Sequence, residues 1–448
     1  MTSAGVTADE IRRRFDAAPM SPAQVAAIAV TVALSALDGY DVLSVTFAAP
    51  AIGRDWNLGR AALGAVLSAG LVGMALGSLV LAPLADRVGR RRLMLVALAL
   101  MATGMALSAT AGTLGQLAAW RVLTGLGIGA MVAVINPVAA EFANAKRRPM
   151  ALALMAVGYP AGGLLGGLLA SVLLSIFGWR AVFAAGVVFA VLLTPFVLRF
   201  LPEPLAFLLA RPKGDGLARV NGLLRRCRQP EVSAMPASAR AKSGGYRAIF
   251  TPGQLSITAR VTAANLLFVM VVYYVLSWLP QMVTDAGFAP ASASLVAAVA
   301  NLCGIVGGLT LGALARRVGL RRIAATMMAG LGFATAAFGL TPPSLPLLIM
   351  TAGICGFFLF GGIAGIYATL AGSYAVDARA SGAGFVIGVG RIGSAVAPAL
   401  AGLLFAGGFE RGTVSIAFGA LAVVAGLLLA LGRTLTSESD PGIAARTA

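Results

Sequence analysis

Stretches of about 20 apolar residues recur along almost the whole chain, and each is long enough to cross the roughly 30 Å hydrocarbon core of a bilayer as a helix. Twelve such stretches use up most of the 448 residues and leave no room for a large soluble domain. They begin near Gln24, Ala62, Leu93, Leu114, Met150, Ala181, Ile257, Ala291, Ile323, Leu345, Ser381 and Thr413. Only 11% of the residues are charged, against about 25% in soluble proteins. The sequence therefore predicts a multi-pass helical membrane protein.

The net charge of +18 is concentrated in alternate connections between these stretches. Basic clusters lie at 87–92, 146–148, 199–260 and 316–322. An excess of Lys and Arg marks cytoplasmic loops, so both termini are expected in the cytoplasm. The basic residues are dispersed in short loops without interleaved aromatic residues, which argues against a nucleic-acid partner.

The longest polar connection divides the chain into two halves of six apolar stretches each. The predicted boundaries are a cytoplasmic segment 1–22, a six-helix bundle 23–201, a central loop 202–255, a second six-helix bundle 256–433 and a cytoplasmic tail 434–448. The central loop is expected to be flexible, with a short surface helix near 217–226.

A short motif occurs once in each half. "APLADRVGRRR" at 82–92 follows the second stretch, and "GALARRVGLRR" at 312–322 follows the eighth. Equivalent placement indicates a duplicated unit, and facing six-helix repeats are a known plan of transporters. The predicted fold is an all-α membrane protein with twelve transmembrane helices in two six-helix repeats around a central cavity.

Two acids, Asp38 and Asp41, lie inside the first apolar stretch. A charge at the bilayer centre costs about 2.5–3.5 kcal/mol. A spacing of three places both side chains on one face of a helix, where two neighbouring carboxylates resist ionising together. One of them is therefore predicted to hold a proton near neutral pH, in a chain that has no histidine. The alternative is structural: one acid paired with an arginine and the other at a kink beside Gly39.

Arg121 and Glu141 lie at opposite ends of the fourth stretch. At 1.5 Å per residue, Arg121 lies at nearly the depth of Asp41, within reach of an arginine side chain. The two form either a packed ion pair or a pair that breaks when the aspartate is protonated. Glu141 lies at the cytoplasmic end and is expected to pair with Arg147 or Arg148, with direct proton transfer as the alternative.

Arg391 lies eleven residues into the eleventh stretch, near mid-depth. A guanidinium at this depth needs an anionic partner, and it binds a carboxylate through two directional hydrogen bonds. The sequence leaves open whether that partner is a ligand or a protein acid such as Glu141.

The loop at 82–92 resembles the signature G-x-L-A-D-R-x-G-R-R of the major facilitator superfamily, with Ala82 in place of the first glycine. "RVLTGLGIGA" at 121–130 and "GYPAGGLLGG" at 158–167 resemble the motifs of its fourth and fifth helices. "LDGYD" at 37–41, "SYAVDARASGAG" at 373–384 and "GVGRIGSAVAP" at 388–398 are similar to the aromatic acid:proton symporters, with Ala375 where that family has proline. Arg316 stands where the second loop signature often has an acid.

This resemblance implies a proton-coupled importer of a carboxylated, aromatic small molecule that works by alternating access. The proton-coupling residues are then Asp38, Asp41, Arg121 and Glu141. The substrate contacts are Arg391, Tyr40, Asn136, Tyr159, Phe358 and Tyr367. The gating residues are Asp86, Arg87, Gly89, Arg90, Arg147, Arg148 and Arg379. For the aromatic residues the alternative is ordinary packing, and Asn136 is expected to be a buried amide that orients a substrate hydroxyl or joins two helices.

Rival functions are uptake of a non-aromatic organic acid, drug export by proton antiport, a receptor that binds without accumulating, and a channel. An enzyme is not expected, because the sequence shows no nucleophile–base pair, metal cluster or soluble catalytic domain. No cofactor or metal is expected, the coupling ion is the proton, and the protein is expected to be a monomer.

Overall fold

The computed structural model describes residues 7–210, 215–235, 249–374 and 379–431, and these residues are helical nearly throughout. The twelve long helices are α2 (Pro22–Asp55), α3 (Arg60–Leu76), α5 (Arg90–Ala109), α6 (Leu114–Phe142), α7 (Arg148–Ile176), α8 (Trp179–Phe200), α11 (Pro252–Asp285), α12 (Pro290–Val318), α13 (Leu320–Leu340), α14 (Leu345–Ser373), α15 (Arg379–Ala406) and α16 (Arg411–Ala430). The short ones are α1 (Ala8–Ala17), α4 (Ala85–Val88), α9 (Leu205–Ala210) and α10 (Gly216–Arg226).

The twelve long helices are the spans that the sequence predicts, and each has the length and hydropathy needed to cross a membrane. Each begins at the predicted residue or up to five residues before it. The added first turns carry polar residues, such as Arg60, Arg90, Arg148 and Arg411, that apolar counting leaves out. An arginine can hold its aliphatic stem against apolar surface while its charge reaches water, so these turns extend the helices at no great cost.

The helices form two compact units. The first comprises Met1–Val42, Gly73–Gly162 and Phe183–Ala241. In this unit α2 and α7 cross at very short range, because a Cβ on Gly39 would lie 2.1 Å from the Tyr159 carbonyl oxygen and one on Gly162 would lie 1.9 Å from that of Ala36. Glycine at both positions lets the two backbones touch, and this crossing fixes the position of the acidic part of α2.

The second unit comprises Leu43–Val72, Gly163–Val182 and Lys242–Ala448. Here α3 and α15 meet through Gly64 and Gly402, whose added Cβ atoms would lie 3.1 and 3.0 Å from the other glycine's Cα. At the same end of α3, Arg60 forms an ion pair with Asp285 at the end of α11. The boundary between the units passes through α2, α3, α7 and α8, so the units do not coincide with the predicted bundles 23–201 and 256–433, which stay a prediction.

The two copies of the repeated motif share an unusual backbone. Gly89 precedes α5 with φ +111°, and Gly319 precedes α13 with φ +92°. Residues with a side chain rarely adopt such angles, so the shared "RVG" of both copies places a glycine where each turn needs one. Before the first turn, α3 continues as a π-helical turn at Gly77–Leu81 and a 3-10 turn at Ala82–Leu84.

The central loop contains a surface helix where the sequence predicts one. Helix α10 buries Val220, Leu223 and Leu224 on one side and is capped by Asp215, whose carboxylate accepts a hydrogen bond from the Ala218 N–H. The amphipathic helix α1 buries Ile11 and Phe15. Residues of α1 and α10, with Val232, line a common small cleft, so the N-terminal helix packs on the central loop.

Candidate functional site

The two acids of α2 lie in the interior of the first unit. The exposed fraction is 1% for Asp38 and 0% for Asp41. The backbone carbonyl of Asp41 accepts a hydrogen bond of 2.9 Å from Nη2 of Arg121. A carboxyl group buried this completely keeps its charge only next to a cation or a hydrogen-bond donor. For Asp41, the nearby cation is the guanidinium of Arg121.

Arg121 is itself almost fully buried, with 1% of its surface exposed. Its Nη1 lies 3.3 Å from the sulfur of Met105, and its guanidinium lies 5.8 Å above the centre of the Phe183 ring. An aromatic face attracts a cation electrostatically. The predicted closeness of Arg121 and Asp41 is therefore present in the first unit, while their role in proton coupling stays a prediction.

Sequence reasoning missed a wall of this acidic site that α8 supplies. A Cβ on Gly186 would lie 3.1 Å from Oδ1 of Asp41, 3.3 Å from the Tyr40 ring and 2.3 Å from Cε of Met105. Gly186 therefore allows α8 to lie directly against the carboxylate. The only signal in the sequence was a single glycine in an apolar helix, which often marks a close approach.

Tyr40 faces the same helix and is 3% exposed. Its ring meets that of Phe189 edge to face, with the centroids 5.3 Å apart. This contact is the packing alternative for Tyr40, and its role as a substrate contact stays a prediction. Tyr159, on α7, is half-buried.

Arg391 is the corresponding cation of the second unit. It is half-buried on α15, and its guanidinium donates a hydrogen bond to the hydroxyl of Tyr273 on α11. Tyr367 on α14 lies within electrostatic range of Tyr273 and is 44% exposed. Three helices thus bring one guanidinium and two phenol groups together. Tyr273 was missed, because "VVYYVLSW" gives no sign of which tyrosine faces Arg391.

Asn136, on α6, is another predicted substrate contact. Asn136 is exposed, so the prediction of a buried amide is wrong: Ala133, Asn136 and Pro137 form the exposed side of α6, whereas Val134 and Ile135 are buried. Apolar composition on all sides of α6 hid this asymmetry from sequence reasoning.

Phe358 is half-buried, and its ring stands edge to face with Phe357, the centroids 5.3 Å apart. A Cβ on Gly330 of α13 would lie 2.4 Å from that ring. These contacts hold the Phe358 ring in place within the second unit, and its predicted contact with a substrate stays a prediction.

Carboxylate side chains bind the first copy of the repeated motif, at residues 82–92. Glu141 forms an ion pair with Arg90, so the expected pairing of Glu141 with Arg147 or Arg148 is wrong. Arg148 is instead paired with Asp16, at the end of α1. This ion pair joins the end of α1 to the start of α7, a contact that the sequence did not reveal because the two residues are far apart in the chain.

Glu203, after α8, is a second acid at this motif that sequence reasoning missed. It accepts hydrogen bonds from the backbone N–H groups of Arg90 and Arg91, the latter at 3.3 Å and 3.4 Å to its two oxygens. A carboxylate at a helix N-terminus satisfies N–H groups that lack a partner within the helix. Burial raises the pKa of Glu203, and these hydrogen bonds oppose that shift.

The remaining predicted gating residues are only partly described. Arg87 and Arg147 are exposed. The side chains of Asp86 and Arg379 lie outside the described part of the chain, so their role in gating stays a prediction.

The chain is similar in sequence to known proteins. A sequence profile described as Major Facilitator Superfamily matches residues 29–291 and 261–447. The chain is 28% identical to a gallate transporter of Pseudomonas putida over 390 residues, 86% of each chain. It is 26% identical to the 4-hydroxybenzoate transporter PcaK of Pseudomonas aeruginosa over 441 residues, 97% of each chain.

Among solved structures, the chain is similar to the inward-open xylose transporter XylE from E. coli, with a TM-score of 0.71 and 15% identity over 92% of this chain and 98% of that one. This likeness supports the all-helical fold with twelve spans. Because the superfamily profile covers far more than half of the residues, the chain belongs to the Major Facilitator Superfamily.

Proposed function

We propose that this protein imports a small aromatic carboxylate together with protons across the bacterial inner membrane. The observation that carries the proposal is the pair of buried acids, Asp38 and Asp41, next to the buried Arg121. Ionisable side chains inside membrane spans are expensive and mark ion or substrate pathways. Curated relatives named for gallate, 4-hydroxybenzoate and 3-(3-hydroxy-phenyl)propionate transport support the aromatic class.

The acidic site of the first unit carries the proton. When Asp41 is charged, the Arg121 guanidinium stabilises it; when Asp41 is protonated, this stabilisation is lost, while Arg121 keeps its contacts with the backbone carbonyl, the Met105 sulfur and the Phe183 ring. Proton binding therefore changes the stability of the contacts between α2 and α6. Glu141 extends the proton route toward the cytoplasmic end of α6.

The basic site of the second unit holds the substrate. The guanidinium of Arg391 binds a carboxylate through two hydrogen bonds. Tyr273, on α11, orients this guanidinium through the hydrogen bond that its hydroxyl accepts. Tyr40, Asn136, Tyr159, Phe358 and Tyr367 supply aromatic and amide contacts to the ring.

Alternating access joins the two events. Proton binding and substrate binding are coupled only if both favour the same conformation of the protein. The gating residues named from the repeated motif bias that equilibrium, and the basic connections place both termini in the cytoplasm. The protein acts as a monomer without a cofactor.

The test is uptake of labelled benzoate into proteoliposomes that carry the purified protein. An inward proton gradient is expected to drive accumulation above the level reached in protein-free liposomes, which undissociated benzoic acid enters by diffusion, and collapsing the gradient with an ionophore is expected to release it. Benzamide serves as the matched control, since it keeps the ring and lacks the carboxylate. Accumulation of a non-aromatic acid in place of benzoate, export of a cationic drug, or uptake that stops at equilibrium would each contradict the proposal.

A further inference from the structure

A cavity of about 830 Å³ lies in the first unit, away from the buried acids. Its volume falls in the range of roughly 300–1,000 Å³ that is typical of small-molecule sites. One wall is the first half of α2, with Val25 and Ala29, and the opposite wall is the start of α7, with Met150 and Leu154. The cavity is therefore a slot between two helices with apolar sides.

Two cations close one end of this cavity. Lys146 and Arg147, from the connection between α6 and α7, are exposed and line it. Among the residues that the structure describes, neither forms an ion pair. Asp16 also lines the cavity, but its charge is balanced by the ion pair with Arg148. The charged end of the slot is thus net positive.

The walls at this end are held in place by hydrogen bonds. The Asn144 amide donates to the Ala18 carbonyl at 2.9 Å, and the Ala145 N–H donates to that of Asp16 at 3.1 Å. The Gln24 amide donates to the Phe142 carbonyl at 3.0 Å. The N-terminal segment is therefore fastened to the connection that carries the two cations, and the cavity is a formed feature of the unit.

We propose that this cavity is a second, cytoplasmic-side binding site for an amphipathic carboxylate, and that the transported acid occupies it on its way to the cytoplasm. The inference rests on the proposed function. The apolar walls suit an aromatic ring, and the two cations suit its carboxylate. Because the N-terminal residues Pro19 and Met20 line the cavity beside the helix starts, it reaches past the ends of the spans on the side of the basic loops. A small carboxylate fits this volume and these two cations, and the headgroup of an anionic lipid is the rival occupant that the test separates.

The test compares the KM for labelled benzoate at the two faces of the membrane, with right-side-out and inside-out vesicles. Exposed ion pairs contribute about 0.2–1 kcal/mol, so Lys146→Ala is expected to raise the KM at the cytoplasmic face about threefold. Lys146→Glu adds repulsion and is expected to raise it about tenfold, while the KM at the opposite face changes less than twofold. Ala29→Phe, which narrows the apolar end, is expected to show the same asymmetry.

Arg92→Ala is the matched control, because Arg92 is an exposed cation at the start of α5 that does not line the cavity. Equal changes at both faces, or no change at the cytoplasmic face, would overturn the inference while benzoate transport by the wild type still stands. Absence of benzoate transport by the wild type would overturn both proposals. An asymmetry that vanishes in vesicles of pure phosphatidylcholine would assign the cavity to an anionic lipid and would also overturn the inference.

Discussion

The two units of this protein differ in the charges within their spans: the first holds two buried acids beside a buried cation, and the second holds the half-buried cation Arg391. In the first unit Asp38 and Asp41 lie in the middle of α2, with Arg121 as their neighbour. In the second unit, the acids that the structure describes all lie at helix ends: Asp55 ends α2, Asp285 ends α11 and Glu410 precedes α16. The cation of the candidate site in that unit is Arg391, eleven residues into its span and next to Tyr273.

Under the proposed function, this difference assigns the two tasks of a symporter to different units. A site that gains and loses a proton needs carboxylates, whereas a site that holds an anionic substrate needs a cation without a competing acid of its own. At the repeated motif, the equivalent arginines Arg91 and Arg321 each donate to a backbone carbonyl, of Leu198 and Ala430, and the first copy in addition binds Glu141 and Glu203.

The largest effect is expected when an acid of the first unit is replaced. Asp41→Asn removes the titrating group next to Arg121 and keeps its shape, so accumulation of benzoate under a proton gradient is expected to be lost. The measurement is the ratio of inside to outside benzoate at steady state. Asp55→Asn is the matched control, because Asp55 lies at the end of the same helix and accepts a hydrogen bond from Trp179 that asparagine can also accept. Normal accumulation by Asp41→Asn would refute the proton assignment.

The next largest effect is expected when Arg391, the cation of the second unit, is replaced. Arg391→Lys keeps the charge and removes the two-pronged fork, and loss of a charge-assisted hydrogen bond costs about 1.5–3 kcal/mol. The affinity for benzoate, measured by thermal shift or calorimetry, is expected to fall at least about tenfold, whereas that for benzamide changes little. Arg411→Lys, at the start of α16, controls for the general effect of the substitution. An equal loss for acid and amide would remove Arg391 from contact with the carboxylate.

A third prediction sharpens the comparison of the two motif copies. Gly89→Ala and Gly319→Ala both place a side chain at a positive φ, which costs about 1–3 kcal/mol. At Gly89 the new Cβ would also lie 3.0 Å from both oxygens of Glu203, whereas at Gly319 it would meet open space. The melting temperature in detergent is expected to fall further for Gly89→Ala. A larger drop for Gly319→Ala would show that Glu203 does not restrict the first turn.

The smallest effect concerns Glu203 alone. Glu203→Gln keeps an oxygen that accepts from the N–H groups of Arg90 and Arg91, so it is expected to change stability by less than about 0.5 kcal/mol, while Glu203→Ala removes this cap and costs about 1 kcal/mol.

The pH dependence of Glu203 follows from the direction of its shift. Its folded-state pKa is raised by burial, so its contribution to stability is full below the unfolded pKa and is lost as pH rises through the folded pKa. The melting temperature of the wild type relative to Glu203→Gln is therefore expected to rise as pH falls below neutral. The opposite trend would show that the cap hydrogen bonds outweigh burial.

The spans, the surface helix α10 and the reach of Arg121 to Asp41 could be predicted from sequence, because they follow from apolar run length and helical rise. The glycine requirement before α5 and α13 also follows from a repeated motif. Each of these depends on residues close together in the chain or on one helix.

The missed contacts depend on which faces of distant helices meet. Gly186 touches Asp41 across about 145 residues of chain, Glu203 reaches Arg90 across 113, and Arg148 reaches Asp16 across 132. Helices apolar on all sides give no periodic signal for the direction of packing. The same lack of signal led to the wrong prediction that Asn136 is buried and that Glu141 pairs with its nearest arginines.

The central claim is that the acids of α2 bind the proton and Arg391 binds the substrate. The most direct test is to measure proton uptake when benzoate is added to purified protein in weakly buffered detergent near neutral pH. Substrate and proton that favour one conformation must raise each other's affinity by the same factor. The wild type is expected to take up protons as it binds the acid, and Asp41→Asn is expected to bind benzoate without that uptake. Undiminished proton uptake by Asp41→Asn would contradict a proton site at the α2 acids.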